Sequence, residues 1–257
     1  MKTVLLVPFG GGSLGSNNNA SIAPLEVINF LKRRDSVNES GNSLSFSEVM
    51  VPVVNDDFSQ THINIERFSS HGFSVAVGGD HSITYSLFRG FAKNNNDSGI
   101  LVFDAHADCM HSFHPVTHEN FLRCLIDEGL VNPKNVIIVG LRAFDVEERD
   151  FLSASGVKIF SMLEISREGL NVVCDSVMSA SRLFSNLYIS VDIDVLDPSF
   201  APGTGYPEPG GLTTRDLLYF LQRLKLLNNI RCCDVVEVDG SDFKTVSIGA
   251  KIVSELL

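Results

Sequence analysis

The chain has no apolar run approaching the ~18 residues that a membrane-crossing helix requires. The one short apolar stretch near its start, Val4-Leu5-Leu6-Val7, is too brief for a secretory h-region and lacks a cleavage site. Basic residues are scarce. Twenty lysines and arginines stand against 31 aspartates and glutamates, a formal net charge of −11. That balance argues against nucleic acid, whose phosphates need a basic face, and against an anionic membrane. It suits a cationic substrate. The five cysteines are odd in number and follow no repeated spacing, so they read as buried thiols in a reducing cytoplasm rather than as disulfides. There are no internal repeats and no linker long enough to divide the chain, so residues 1–257 are expected to form a single domain.

What the chain does have is a 44% hydrophobic composition and a regular alternation of elements. Short β-branched runs predict strands over residues 3–8, 48–54, 73–77, 100–103, 135–139, 157–160, 187–191 and 232–238. Helices are expected over 21–34, 63–69, 83–93, 120–128, 146–153, 170–183, 214–226 and 245–257, with Ser21 capping the first and Pro24 in its first turn. Eight strands separated by helices give an α/β fold, a parallel sheet covered on both faces. The glycine- and asparagine-rich loop from Gly10 to Asn19 has neither dinucleotide nor P-loop spacing and is expected to be a flexible rim.

In such sheets ligands bind beyond the carboxyl ends of the strands. The third predicted strand is followed by Gly78-Gly79-Asp80-His81, and the fourth by Asp104-Ala105-His106-Ala107-Asp108. The seventh delivers Asp192 and Asp194, and the eighth ends near Glu237. Two-residue spacing in an extended chain turns Asp192 and Asp194 to the same side, as it does the members of the Asp-Ala-His-Ala-Asp segment. Like charges so placed are costly unless a cation lies between them. Two imidazoles and four carboxylates suit two divalent ions, and the hard O/N set with no clear thiolate points to manganese more than to zinc.

These three motifs, the third running from Ser190 to Gly211, resemble the signatures of the ureohydrolase family, which includes arginases, agmatinases and formimidoylglutamases. The resemblance implies a three-layer α/β/α fold with a mostly parallel eight-stranded sheet, a binuclear Mn2+ centre (two ions per chain) and a homotrimer or hexamer. Carried over position by position, His81, Asp104, Asp108 and Asp192 would hold one ion, and Asp104, His106, Asp192 and Asp194 the other. Activated water would attack a guanidinium carbon and release urea. Asp108 matches the family's proton-relaying carboxylate, Glu237 the acid that pairs with the guanidinium, and His118 the proton-shuttle histidine, with His111 and His114 as rivals. His118, Glu119, Asn120, Tyr206 and Glu237 are the expected substrate contacts.

Departures from the family pattern bear on the substrate. Asp104 and His118 are only 14 positions apart, and the loop between Asp108 and His118 holds Met110, Phe113 and Pro115 in place of the small polar residues that grip an amino acid's carboxylate. Glu119 replaces a common glycine, Val238-Asp239-Gly240 stands where a proline is usual, and Ala201-Pro202-Gly203-Thr204-Gly205 is nearer to agmatinases than to arginases. The expected substrate is therefore arginine-like but indifferent to a free carboxylate, a class that includes arginine inside a peptide, converted to ornithine. An agmatinase- or formimidoylglutamase-type small-molecule hydrolase is the alternative. A catalytically silent scaffold subunit is a third reading, marked by lost ligands, and none is lost.

Overall fold

The computed structural model describes residues 2–14, 19–33, 37–54 and 56–257. Its strands are β1 (Lys2–Val7), β2 (Phe46–Met50), β3 (Val75–Gly78), β4 (Ser98–Phe103), β5 (Val136–Val139), β6 (Lys158–Phe160), β7 (Asn186–Asp192) and β8 (Ile230–Val236). All pair in parallel in one eight-stranded sheet of order β2-β1-β3-β8-β7-β4-β5-β6. The strands predicted to carry chemistry, β3, β8, β7 and β4, are the four central ones.

Both faces of the sheet are apolar because side chains alternate along each strand. On β4, Leu101 and Phe103 enter one core while Ile100 and Val102 enter the other. The first core is closed by α1 (Ala23–Arg33), α6 (Met162–Glu168), α7 (Leu170–Ser181), α8 (Thr214–Leu224) and α9 (Phe243–Leu256). The second is closed by α2 (Phe58–Ser69), α3 (Ile83–Ala92), α4 (Phe121–Asp127) and α5 (Val146–Ser155). This is the expected three-layer α/β/α arrangement, wholly parallel. All five cysteines are buried and free.

Several boundaries differ from expectation, each for a local reason. Helix α2 begins five residues before the expected start, because the Asp57 side chain accepts from the Gln60 N–H and caps it there. Helix α6 was not expected. Ser161 caps it through the Glu164 N–H, and Gly169, at φ +89°, ends it. Ser21 does not cap α1; it lies within a 3-10 turn, Ala20–Ile22, that leads into the helix. Strand β2 lies two to four residues earlier than expected, and β8 stops at Val236, leaving Glu237 just beyond it. Residue 34 and part of the 10–19 loop lie outside the described residues.

Candidate active site

Gly79 allows the first close approach at the site. A Cβ there would sit 1.6 Å from the Phe9 carbonyl oxygen, so only glycine lets the end of β3 pass the end of β1. The turn that follows buries Asp80, which accepts from the N–H groups of Gly12 (2.7 Å) and Ser82 (2.9 Å) and from the Ser82 hydroxyl. Asp80 therefore fixes the rim loop, and its neighbour His81 is left to face the sheet's end. Burial, and then the nearby Glu237 charge, push the Asp80 carboxyl up to about 6.

His81 Nδ1 lies 3.2 Å from an oxygen of Asp104, 3.0 Å from one of Asp108 and 3.1 Å from one of Asp192. His106 Nδ1 lies 2.9 Å from Asp194 Oδ2 and 3.7 Å from Asp104 Oδ1. Two groups able to hold an ion result, His81/Asp104/Asp192 and Asp104/His106/Asp194, with Asp104 common to both. Backbone amides fix the carboxylates: Asp104 accepts from the His106 N–H (2.6 Å), Asp192 from the Asp194 N–H (2.8 Å) and Asp194 from the Ala105 N–H (3.0 Å).

The ligands converge by a different route from the one expected. Ile193–Val195 is a 3-10 turn capped by Asp192, so the two aspartates meet across a turn and not along an extended strand. Asp108 has φ +50° and Glu237 φ +61°, left-handed conformations that cost a non-glycine residue about 1–3 kcal/mol. Asp108 thus reaches the cluster because its segment bends. Strain of this kind persists where the surrounding structure over-determines it.

A divalent metal fits this cluster. His81 Nδ1 and Asp104 Oδ2 are buried and have no hydrogen-bond partner, although carboxylate oxygens crowd both. Buried polar atoms are otherwise paired, and hard oxygen and imidazole donors suit manganese or a similar ion. The electrostatics show the same demand for positive charge. Burial opposes a charged His106, yet Asp104 and Asp194 prevail and push it up to about 12. Burial, then the Asp104 charge, push the Asp108 carboxyl up to about 7. Burial, then Asp194 and Asp104, raise Asp192 well above the carboxylate range.

Above the cluster is a cavity of about 220 Å3. His106, Asp108, Asp192, Asp194 and Glu237 form its floor, and His118, Glu119, Tyr206 and Met110 part of its walls. His118 is fixed from two sides. Its N–H donates to the Gly12 carbonyl (3.1 Å), and its Nε2 accepts from the Leu14 N–H (3.2 Å). A nitrogen that accepts carries the lone pair, so the neutral ring keeps its proton on Nδ1, 3.6 Å from Glu237 Oε1. Tyr206 packs on the same imidazole (centroids 5.1 Å apart), and its hydroxyl donates to the Leu14 carbonyl. Glu237 Oε1 also accepts from the His81 N–H (2.8 Å).

Some expected residues are elsewhere. Asn120 does not reach the cavity. It is fully buried, accepts from the Thr117 N–H (2.9 Å) and donates to the His111 and Phe113 carbonyls, which organises the loop instead. His111 and His114 point away, paired with Glu147 (3.0 Å) and Glu128 (3.2 Å). Phe113 is 47% exposed and lies outside the cavity, whereas Met110 lines it. Two acids and one aromatic that line the cavity, Asp145, Glu148 and Phe144, were not expected. Asp145 and Glu148 form the capping box of α5, with Glu148 accepting from the N–H groups of Cys109 (2.9 Å) and Asp145 (2.9 Å). The Asp-x-x-Glu spacing at 145–148 was the available signal for the helix start.

Fold and site define a class: an α/β enzyme with an acid-and-imidazole cluster, fit for divalent metal, at the carboxyl ends of its central strands. Comparison with known proteins gives the family. The arginase family model matches residues 20–257. The chain is 30% identical to a guanidinopropionase of Pseudomonas aeruginosa over 98% of this chain and 84% of that protein. It is 30% identical to an arginase of Bacillus subtilis over 72% and 69%. Among solved structures, formimidoylglutamase from Bacillus subtilis superposes with a TM-score of 0.92 at 26% identity, covering 100% of this chain and 86% of that one. The proclavaminate amidino hydrolase of Streptomyces clavuligerus superposes with a TM-score of 0.90 at 26% identity, covering 99% and 89%. The chain belongs to the arginase family, hydrolases acting on amidine and guanidino C–N bonds.

Proposed function

We propose that this protein is a manganese-dependent guanidine hydrolase that releases urea from a substrate with no carboxylate at its far end, an aminoalkylguanidine such as agmatine being the best fit. One observation carries the reading: the cavity above the cluster is lined by acids, and among the described residues no lysine or arginine lines it. A carboxylate-bearing substrate would find no cationic partner there, whereas a guanidinium and a second cation would both find acids. The same lack weighs against formimidoylglutamate, which carries two carboxylates. Arginine inside a peptide also presents no free carboxylate and is a second substrate to test. The family names that accompany the comparisons support the guanidino or amidine group and leave the far end open.

When bound, a pair of divalent ions supplies Lewis acidity and makes water nucleophilic at neutral pH. His81, Asp104, Asp108 and Asp192 would hold one, and Asp104, His106, Asp192 and Asp194 the other. Glu237 pairs with the guanidinium and sets its planar carbon over the cluster. Asp108 carries a proton towards the leaving amine, and His118, with Nδ1 turned inward, exchanges protons between the cavity and solvent. Tyr206 and Glu119 line the path to the far end. A homotrimer or hexamer, a single domain over residues 1–257 and a cytoplasmic location go with this proposal. A silent scaffold is disfavoured by the presence of all six ligand side chains at the cluster. Urea release by manganese-loaded protein from arginine, agmatine and 3-guanidinopropionate, with formamide release from formimidoylglutamate measured beside it, tests the reading. Agmatine should turn over best, and no urea from any guanidine would refute it.

The shuttle assignment has its own test. His118→Ala should lower kcat by about 10²- to 10⁴-fold, the span of general acid–base work, with manganese content unchanged. His111→Ala and His114→Ala should leave kcat within about twofold, because both side chains point away from the cavity. A large loss from either of those two, with His118→Ala near wild type, would overturn the assignment.

A further inference from the structure

Arg142 lies at the start of the loop between β5 and α5, at a position that neither the motifs nor the proposed chemistry uses. Its guanidinium has no carboxylate within ion-pair distance among the described residues. Instead it sits inside a cage of backbone carbonyls. Nη2 donates to Asp194 O (2.7 Å) and Glu208 O (2.6 Å) and lies 3.4 Å from Leu196 O. Nη1 is 3.3 Å from both Gly140 O and Val195 O, and Nε is 3.3 Å from Glu208 O. The backbone takes part too, since the Arg142 N–H donates to Ala105 O (2.9 Å). A Cβ at Gly211 would stand 2.6 Å from Nη2, so that glycine makes room for the head group.

One residue therefore ties together three loops of the site: the Asp104–Asp108 segment, the Ile193–Leu196 turn that carries Asp194, and the rim that carries Thr204, Tyr206 and Glu208. We propose that Arg142 is the positioning residue that sets Asp194 against His106 and holds the Tyr206 rim over the cavity. Five carbonyls of buried or half-buried residues lie within 3.4 Å of the guanidinium nitrogens. Among the described residues, only Val195 O of the five also accepts from a backbone amide outside regular helices and strands, that of Leu212 (3.0 Å). A guanidinium offers five N–H groups in a fixed fork, whereas a lysine offers three and a methionine none. Partners that orient metal ligands typically alter metal affinity 10- to 100-fold when removed. The effect should fall on the ion held by Asp104, His106 and Asp194, and spare the one held by His81 and Asp108.

The metal part of this inference rests on the binuclear reading above, so two measurements are paired. The first is manganese binding by chelator competition for wild type, Arg142→Lys and Arg142→Met. One of the two sites should lose about 10- to 100-fold in Arg142→Met and less in Arg142→Lys, with the other within about threefold of wild type. The second is amide hydrogen exchange of the metal-free proteins. Residues 193–211 should exchange at least about tenfold faster in Arg142→Lys, while β3, β4 and β8 stay protected as in wild type. If Arg142→Met does not fold, Arg142→Lys carries both tests. Unchanged exchange in 193–211, or equal loss at both metal sites together with deprotected central strands, would overturn the proposal. A single manganese site in wild type with the exchange result intact would refute the binuclear reading and leave the positioning role standing.

Discussion

Asp104→Ala should lose both metal ions together and lower kcat/KM by at least about 10³-fold, the rate equivalent of the several kcal/mol that metal polarisation supplies. Geometry decides the choice of residue. Asp104 Oδ2 faces His81 Nδ1 at 3.2 Å while Oδ1 faces His106 Nδ1 at 3.7 Å, so the two oxygens of one carboxylate look into the two halves of the cluster. His106→Ala, by contrast, removes a ligand from one half and should leave about one ion per chain. Elemental analysis of the purified variants, after dialysis against trace manganese, reads the outcome. Two ions retained by Asp104→Ala would sink the shared-ligand assignment. Binding should also strengthen with pH. Metal binds the deprotonated imidazole, and without metal His106 is raised to about 12, so at neutral pH a proton must leave as the ion enters. Affinity should rise roughly tenfold per pH unit for each proton released, and acid should strip the ions.

Much of this site was legible because its residues lie at strand ends, where chain order and sheet topology together place them. His81, Asp104, His106, Asp108, Asp192 and Asp194 were all read from three motifs, and the structure brings all six to one cluster. The path to that cluster was not legible. Asp108 arrives through a left-handed residue and Asp194 through a 3-10 turn capped by Asp192, and an extended-strand reading of the two-residue spacing announces neither. The loops were harder still. Asn120 has the composition of a substrate contact, but its amide is spent on loop carbonyls. Arg142 was invisible because its partners are backbone carbonyls up to 66 residues away, which no side-chain pattern encodes. Helix α6 was missed although Ser161 and Glu164 form a start signal, since the segment is only seven residues long.

Agmatine should exceed free arginine in kcat/KM by at least about 100-fold, a discrimination of about 2.7 kcal/mol. The two molecules share the guanidinium and the chain, so Glu237 and the cluster treat them alike. They differ at the far end, where arginine adds a carboxylate. Placing an unpaired charge in a partly enclosed site costs several kcal/mol, and here the charged groups of the wall are themselves acids, Glu119, Asp145 and Glu148 among them. Glu148 is nine-tenths buried or more, and burial raises its pKa, so a second anion nearby would raise it further and gain nothing. The amine, which both molecules carry, is attracted by the same three side chains, and only agmatine brings it without a carboxylate. Neutralising the wall is the informative variant. Asp145→Asn should narrow the agmatine preference by about tenfold, mainly through a lower KM for arginine, because one of the charges that repel its carboxylate is gone. An N-acetylated, C-amidated arginine peptide separates charge from size. It has arginine's side chain with no free carboxylate, so it should at least match free arginine if charge sets the preference, and fall far below it if the cavity mouth excludes bulk. A preference for free arginine over both agmatine and the blocked peptide would show that the carboxylate is gripped, and would end the proposal that this site takes substrates without one.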